Sequence, residues 1–274
     1  DRLYKFFISR NYVVLEKKYR CLRTLDVSKC FDSIYTHSIA WALKDKEFSK
    51  ENVTRFMFSR GFDQLMQYSN NCETNGILIG PEVSRIFAEI ILQRVDRDVI
   101  KRISKTRRFG GGGLVFEKDF VFKRYVDDVF IFAHSKEIAD YIYEVFSDCL
   151  LEFNLHVNKH KSQSFSRPFV TTKSKIIFSA KVCATDFLKK IIEESVDRKM
   201  SPKRVHNAWS ISRDFIEAVK TICSDHDAQY EDVSGFLLAF LTERIKKLVI
   251  VKDALDDDSR QAYSDVFCVF LELM

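Results

Sequence analysis

Proline and glycine are scarce in this sequence, with three and eight residues among 274. There is also no polar low-complexity tract, so the composition excludes an obvious disordered linker. No apolar run approaches the ~20 residues that a bilayer-spanning helix needs, and the N-terminal segment does not have the pattern of a signal peptide. The sequence therefore predicts a folded protein without a membrane span.

Cysteine pairs typical of zinc sites are missing as well. None of the seven cysteines forms a C-x-x-C pair, so a thiolate metal cluster is not expected. We expect reduced and mostly buried thiols, as in a cytosolic protein, at Cys21, Cys30, Cys72, Cys149, Cys183, Cys223 and Cys268.

A strong charge of either sign is absent too. The 44 basic residues only slightly exceed the 39 acidic ones, a balance that permits nucleic-acid binding without requiring it. The chain is 46% hydrophobic and 14% aromatic, which is enough to bury a large core. Its length predicts one domain of two lobes, or two small domains.

The stretch at residues 120–132 is the one around which the rest is organised. Two apolar, aromatic-rich runs flank the adjacent carboxylates Asp127 and Asp128, and this pattern predicts a β-hairpin with both aspartates in its turn. Aspartate is common in turns for purely structural reasons, so the pair by itself does not establish a catalytic role.

A third carboxylate, Asp26, ends a strand predicted over residues 19–27. Side-chain alternation places Leu22, Thr24 and Asp26 on one face of that strand. An aspartate at a strand end can be structural, or it can join the aspartates of a neighbouring hairpin in holding divalent cations. Clustered carboxylates repel one another, and a bound cation is a physical reason to keep them together.

Helical periodicity predicts a helix over residues 52–68 and a longer amphipathic helix after Pro81. The apolar stripe of the longer helix is predicted at Val83, Ile86, Phe87, Ile90, Ile91 and Val95. Four consecutive glycines at residues 110–113 lack the spacing of a phosphate-binding loop, so they predict a flexible turn that leads into the hairpin.

After the hairpin, the pattern predicts a helix over residues 138–153 and a strand at Ser164 and Phe165. Beyond residue 185 it is fully helical, with Ser201 and Pro202 predicted as a cap and first helical position. Two more helices are predicted near residues 229–252 and 258–273. This order of elements predicts an α+β fold with a helical C-terminal lobe.

Two sequence motifs near the aspartates resemble those of reverse transcriptases. The Tyr-Val-Asp-Asp sequence at residues 125–128 resembles the YxDD box of that family. Asp26, followed five residues later by Phe31, resembles its first palm motif.

Two further motifs extend the resemblance to about residues 19–165. Ile-Leu-Ile-Gly at residues 77–80 resembles the second palm motif, usually Leu-Pro-Gln-Gly, and Asn158-x-x-Lys161 resembles a further palm motif. The sequence of residues 31–39 and 75–81 is similar to that of the bacterial abortive-infection and defence-associated branch of the family.

The resemblance implies a palm and partial fingers with an antiparallel sheet at residues 1–185. An all-helical lobe, either thumb-like or a helical repeat, would follow at residues 186–274. It also implies two Mg²⁺ ions, with Mn²⁺ as an alternative. The implied metal ligands are Asp26, Asp127, Asp128 and the main-chain carbonyl of Val27.

Other residues would bind the nucleotide or transfer protons. Phe31 would act as the sugar gate and Lys161 as the phosphate-side acid, although a lysine in a basic tract is often only a solvated charge. The remaining implied nucleotide contacts are Ser28, Lys29, Cys30, Ile79 and Gly80.

The implied activity is antiphage DNA synthesis from deoxynucleoside triphosphates by a homo-oligomer in the bacterial cytoplasm. Synthesis would be either untemplated and protein-primed, or templated by a partner noncoding RNA. The alternative is a catalytically silent protein of this fold that binds RNA or serves as an oligomeric scaffold.

Two departures from the family pattern keep template use open. Ile79 stands where most reverse transcriptases have glutamine, and no fingers motif that clamps a triphosphate is recognisable before Asp26. The chain also begins without methionine and ends on an apolar run, so we expect the natural protein to extend at one or both ends.

Overall fold

The computed structural model describes residues 3–44, 58–106, 109, 113–194, 200–249 and 257–273. The helices in these ranges are α1 (Leu3–Phe7), α2 (Arg10–Lys18), α3 (Cys30–Ser33), α4 (Ser38–Leu43), α5 (Phe58–Ser69), α6 (Glu82–Lys105), α7 (Lys136–Leu151), α8 (Thr172–Ile191), α9 (Ala208–Asp225), α10 (Tyr230–Val249) and α11 (Asp257–Leu273). The strands are β1 (Cys21–Ser28), β2 (Phe120–Tyr125), β3 (Asp128–Ala133), β4 (His156–Val157), β5 (Ser164–Ser166), β6 (Ile192–Glu194) and β7 (Met200–Pro202). Within the same ranges, no helix is both long enough and apolar enough to cross a membrane.

The main sheet is antiparallel and has the order β2-β3-β1-β4, with β5 also pairing with β1. Strand β1 is internal to the sheet. It pairs with β3 along one edge, and on its other edge with β5 near its start and β4 at its end. This sheet and its helices confirm the predicted α+β class, and pairing on both edges holds β1 as a rigid element.

The predicted hairpin is confirmed with one difference. Tyr125 pairs with Asp128, so Asp128 is the first residue of β3 and only Val126 and Asp127 form the turn. The strands are apolar runs because both faces of the sheet are covered by other parts of the chain. Helices α6 and α7 pack in the core on one face, where the ring of Phe122 meets that of Phe146 edge-on at 4.8 Å.

The other face of the sheet is covered by aromatic side chains from α2 and from the segment after β5. The ring of Phe132 lies 6.1 Å from that of Tyr12 and 5.8 Å from that of Phe169. The Tyr12 hydroxyl also donates a hydrogen bond of 3.0 Å to the main-chain oxygen of Phe169.

The apolar stripe of α6 differs from the predicted one at its start. Phe87, Ile91 and Val95 are buried as predicted, whereas Val83 and Ile86 are 37% and 46% exposed. The buried face begins instead at the small residues Ser84 and Ala88, both 0% exposed. Small side chains let a helix approach its neighbours closely, a signal that a search for large apolar residues misses.

The chain divides into two compact units, one of residues Ser9–Phe169 and one that combines Asp1–Ile8 with Val170–Met274. Helix α8 runs without interruption through the expected division at residue 185. A continuous helix holds its residues in one rigid body, and the division therefore falls between Phe169 and Val170, before the helix begins.

The unit that contains the C-terminal helices is not fully helical, contrary to the prediction. Strands β6 and β7 form a two-stranded antiparallel sheet in which Ile192 pairs with Pro202. Ser201 and Pro202 therefore lie in a strand and do not start a helix. Helix α9 begins later, where the Asn207 side chain accepts a hydrogen bond of 2.9 Å from the Ser210 amide.

Several predictions fall partly outside the described residues. Helix α5 covers the second part of the helix predicted at 52–68, and residues 52–57 are not described. Three of the four glycines at 110–113 are also outside the described ranges. The last two predicted helices correspond to α10 and α11.

Candidate active site

Asp26 and Asp128 meet at one end of the sheet. They are directly opposite each other in the register of β1 and β3. Directly opposed residues of an antiparallel pair project from the same face with their Cβ atoms about 5 Å apart. The Asp26 side chain is 16% exposed, so this end of β1 is accessible from solvent. Two like charges in this position are destabilising unless a cation or a donor lies near them.

Asp127 is held in the turn beside this pair. Its main-chain oxygen accepts a hydrogen bond of 3.1 Å from the amide of Val27 on β1. The preceding residue, Val126, has a φ of +54°, in the left-handed region that β-branched residues disfavour. Strain of this kind costs on the order of 1–3 kcal/mol and persists only where the surroundings enforce it.

Arg124 is a neighbour of this turn that the sequence analysis missed. Its side chain is 7% exposed and makes ion pairs at 2.8 Å with Glu89 and with Asp96, which both lie on α6. Burial lowers the pKa of Arg124, but the hydrogen bonds to Glu89 and Asp96 outweigh it and hold that pKa above its ordinary value. Its Nη1 atom also donates a hydrogen bond of 3.2 Å to the main-chain oxygen of Val126, so a buried guanidinium lies against the aspartate turn. The available signal was an arginine directly before the YVDD sequence and two acidic residues on one face of the preceding helix.

The two acidic partners of Arg124 respond differently to their surroundings. Burial raises the pKa of Asp96 by more than the Arg124 hydrogen bond lowers it, so the net shift is upward. Burial also raises the pKa of Glu89, but there the hydrogen bond and charge of Arg124 prevail and the net shift is downward. Glu89 is the more exposed carboxylate, at 32% against 20% for Asp96, which accounts for the difference.

Lys161 lies beside Asp26, with its Nζ atom 3.7 Å from Asp26 Oδ1. The Lys161 side chain is 69% exposed, so this ion pair adds little to stability. The tract that carries Lys161 is anchored at Asn158, whose amide donates a hydrogen bond of 2.8 Å to the main-chain oxygen of Asp26. The Ser162 hydroxyl donates in turn to the main-chain oxygen of Asn158 at 3.0 Å. The structure therefore brings the predicted lysine to the predicted carboxylate.

The chain turns sharply at Lys29, three residues after Asp26. Lys29 is exposed and has a φ of +45°, while Cys30 is 3% exposed. Burial, the largest influence, and the charges of Asp127 and Asp26 raise the pKa of the Cys30 thiol to about 12, although Arg124 acts in the opposite direction. Because the Cys30 side chain belongs to the core, only its main chain is available to a triphosphate.

The loop before α6 packs against the segment that carries Phe31. The Ile77 amide donates to the main-chain oxygen of Phe31 at 2.9 Å. Gly76 has a φ of +85°, and a Cβ atom there would lie 3.1 Å from the Asp32 main-chain oxygen, so this close approach favours glycine. Phe31 is partly buried against the core, whereas Ile79 is 73% exposed. Gly80, with a φ of +118°, follows at the surface.

The three aspartates supply oxygen ligands, which Mg²⁺ prefers. Among the described residues, however, no three side chains of His, Cys, Asp or Glu are grouped closely enough to hold one ion. The structure brings Asp26 and Asp128 together and places Asp127 next to them in the turn. The complete set of ligands, with the Val27 carbonyl, remains a prediction.

A family model described as reverse transcriptase (RNA-dependent DNA polymerase) matches residues 2–200. No curated protein matches the sequence. Among solved structures, the chain is similar to apo telomerase from Candida tropicalis, with 10% identity, a TM-score of 0.47, and coverage of 96% of this chain and 48% of the other. It is also similar to telomerase from Candida albicans in complex with a telomeric RNA fragment, with 12% identity, a TM-score of 0.39, and coverage of 96% and 51%. The chain therefore spans about half the length of these telomerase chains. Because the family model matches well over half of its residues, the chain belongs to the reverse transcriptase family.

Proposed function

We propose that the protein is a DNA polymerase that adds deoxynucleotides by metal-dependent nucleotidyl transfer. The observation that carries this proposal is the position of Asp26 opposite Asp128 on β1 and β3, with Asp127 in the adjoining turn. A reverse transcriptase fold alone does not require carboxylates to meet at the end of two paired strands. Their juxtaposition is what a polymerase of this family needs.

Asp26, Asp127 and Asp128, with the main-chain carbonyl of Val27, would hold two Mg²⁺ ions, or Mn²⁺ in their place. When bound, such ions lower the pKa of the attacking hydroxyl and neutralise charge that builds on the phosphoryl oxygens. The contribution of the chain is to fix the ligands before substrate arrives. The Val27 amide does this for Asp127 by bonding its main-chain oxygen.

Lys161 would serve as the acid on the phosphate side. Its side chain is 69% exposed and its ammonium group lies 3.7 Å from Asp26, so Lys161 can leave that weak ion pair and donate a proton to the leaving pyrophosphate. Ser28, the partly exposed last residue of β1, and the exposed Lys29 would contact the triphosphate, together with the main chain of Cys30.

Phe31 would discriminate against ribonucleotides. Its ring is packed partly against the core, and the loop of Gly76 and Ile77 is hydrogen-bonded to its segment, so the ring is held in place. A fixed ring can exclude a 2′-hydroxyl by occupying the space that it needs. Ile79 and Gly80 would lie on the other side of the nucleotide.

The finer part of the proposal concerns biological role and template. We infer a bacterial antiphage enzyme that assembles as a homo-oligomer, on the resemblance of residues 31–39 and 75–81 to the defence-associated branch. Ile79 is 73% exposed and cannot make the amide hydrogen bonds of a glutamine. This supports synthesis that is either untemplated and protein-primed or directed by one partner RNA.

The test is an incorporation assay on purified protein with each deoxynucleotide alone, in Mg²⁺, Mn²⁺ or chelator, before and after nuclease treatment. Metal-dependent incorporation that survives nuclease treatment indicates untemplated synthesis. Incorporation that is lost with RNase indicates a bound RNA template. The complete absence of incorporation in every arm would contradict the proposal and favour the silent scaffold.

A further inference from the structure

The guanidinium of Arg124 reaches three separate groups around the aspartate turn. Its Nε and Nη2 atoms donate to Asp96 at 2.8–3.2 Å, and its Nη1 and Nη2 atoms donate to Glu89 at 2.8 and 2.9 Å. Nη1 also donates to the main-chain oxygen of Val126 at 3.2 Å. Each guanidinium nitrogen is therefore engaged.

The third contact is informative because of where Val126 lies. Val126 and Asp127 are the two central residues of the turn, and the main-chain oxygens of both accept hydrogen bonds. Arg124 bonds the oxygen of Val126, and the Val27 amide bonds that of Asp127. The first bond fixes the peptide group that precedes Asp127, and the second fixes the peptide group that follows it.

Arg124 is itself held from helix α6. Glu89 and Asp96 are two turns apart on this 24-residue helix, whose buried face lies in the core. The guanidinium is thus held by two carboxylates that the same helix carries. A lysine could not reproduce this arrangement, since an ammonium group is a compact charge without a planar fork.

We propose that Arg124 is a positioning residue that holds the turn of Val126 and Asp127 in the geometry that metal binding requires. It transmits the rigidity of α6 to the turn through the Val126 carbonyl and contacts neither substrate nor metal. This role deepens the proposed polymerase function and rests on it.

The decisive variant separates positioning from stability. Arg124→Met alone would leave the partly buried carboxylates of Glu89 and Asp96 without their arginine partner and would destabilise the fold. A triple variant, Arg124→Met with Glu89→Gln and Asp96→Asn, removes those charges together but cannot restore the bond to Val126. Arg124→Lys is the second variant, which keeps the charge and loses the planar fork.

Three quantities are measured for each variant: the thermal midpoint, kcat and KM for a deoxynucleotide, and Mn²⁺ binding followed by electron paramagnetic resonance. We expect the triple variant to keep a midpoint close to that of the wild type. Its kcat should fall about 10²-fold with little change in KM, since small displacements of reacting groups have effects of this size. Mn²⁺ binding should weaken in parallel, without any substrate present.

Arg94→Gln is the matched control. Arg94 lies on α6, the helix that carries Glu89 and Asp96, and its ion pair with Asp98, at 2.8 Å, does not involve the turn. It should change none of the three quantities. A folded triple variant with wild-type kcat and Mn²⁺ affinity would overturn the positioning role and leave the polymerase function standing. If the triple variant does not fold, a wild-type kcat in Arg124→Lys overturns the role equally. Wild-type protein that neither incorporates nucleotide nor binds Mn²⁺ would overturn the polymerase function, and this role with it.

Discussion

Asp26 and Asp128 face each other at the last register position that β1 and β3 share. The five paired positions before it, from Cys21 and Ala133 to Leu25 and Val129, fix that alignment. A slip of one residue would send one carboxylate to the opposite face of the sheet. The pairing of β1 with β3 is thus what keeps the two carboxylates together.

Replacement of Phe31 by alanine should relax sugar discrimination. Removal of the ring opens space for a 2′-hydroxyl, so the preference for deoxynucleotides over ribonucleotides should fall by about tenfold or more. The measurement is the ratio of kcat/KM for a matched deoxy- and ribonucleotide pair. Phe178→Ala, at a side chain that is 68% exposed in the other compact unit, is the control and should leave this ratio unchanged. An unchanged ratio in Phe31→Ala would show that the gate lies elsewhere.

Replacement of Val126 by glycine should be neutral to slightly stabilising for the fold. Glycine relieves the Cβ strain at a φ of +54°, worth ~1–2 kcal/mol, and offsets this by ~0.5–1 kcal/mol of backbone entropy. Val115→Gly is a control because Val115 is exposed and is not among the residues with positive φ. Thermal denaturation should show a lower midpoint for Val115→Gly than for Val126→Gly. A midpoint for Val126→Gly far below that of the control would mean that the valine side chain stabilises the turn.

The hairpin and β1 could be predicted because apolar, aromatic-rich residues form two uninterrupted runs around the aspartates. Strands β6 and β7 could not, since three residues are too few to establish a period. The predicted start of the apolar stripe of α6 was wrong because Ser84 is buried and Val83 is not. This is a consequence of close packing, which the hydrophobicity of the residues does not reveal. The role of Arg124 was not predicted because its carboxylate partners lie 28 and 35 residues away along the chain.

Thiol reactivity should follow burial. Burial is the main cause that raises the pKa of both Cys30 and Cys149 to about 12, so at pH 8 both remain thiols. Cys72 and Cys268 are exposed. Iodoacetamide labelling followed by mass spectrometry should modify the exposed pair first and reach the buried pair only after unfolding.

The same pKa shifts determine how the stability of the folded protein depends on pH. A folded-state pKa above the ordinary value of 9.0 means that the fold favours the protonated thiol. This stabilisation is fully present below pH 9 and is lost as the pH rises through about 12. Rapid labelling of Cys30 in native protein at pH 8 would contradict its placement in the core.

Protein-primed synthesis should leave DNA covalently attached to the chain. The attacking group would be a Tyr, Ser or Thr hydroxyl in place of a primer hydroxyl. Products are denatured with detergent and run on a gel with and without protease. DNA that enters the gel only after proteolysis supports protein priming. Free DNA complementary to a bound RNA would exclude it and leave the RNA-templated form.

The central claim is that Asp26, Asp127 and Asp128 carry metal-dependent nucleotidyl transfer. The most direct measurement is the rate of deoxynucleotide incorporation in Mg²⁺ by Asp26→Asn and Asp127→Asn, compared with the wild type and with Asp148→Asn, the same change at an exposed position on α7. We expect both site variants to keep the wild-type thermal midpoint and to lose at least about 10²-fold in rate, as when electrostatic stabilisation of a transition state is removed. Asp148→Asn should match the wild type. Activity above about a tenth of the wild-type rate in either site variant, a loss too small for a metal ligand, would contradict the account.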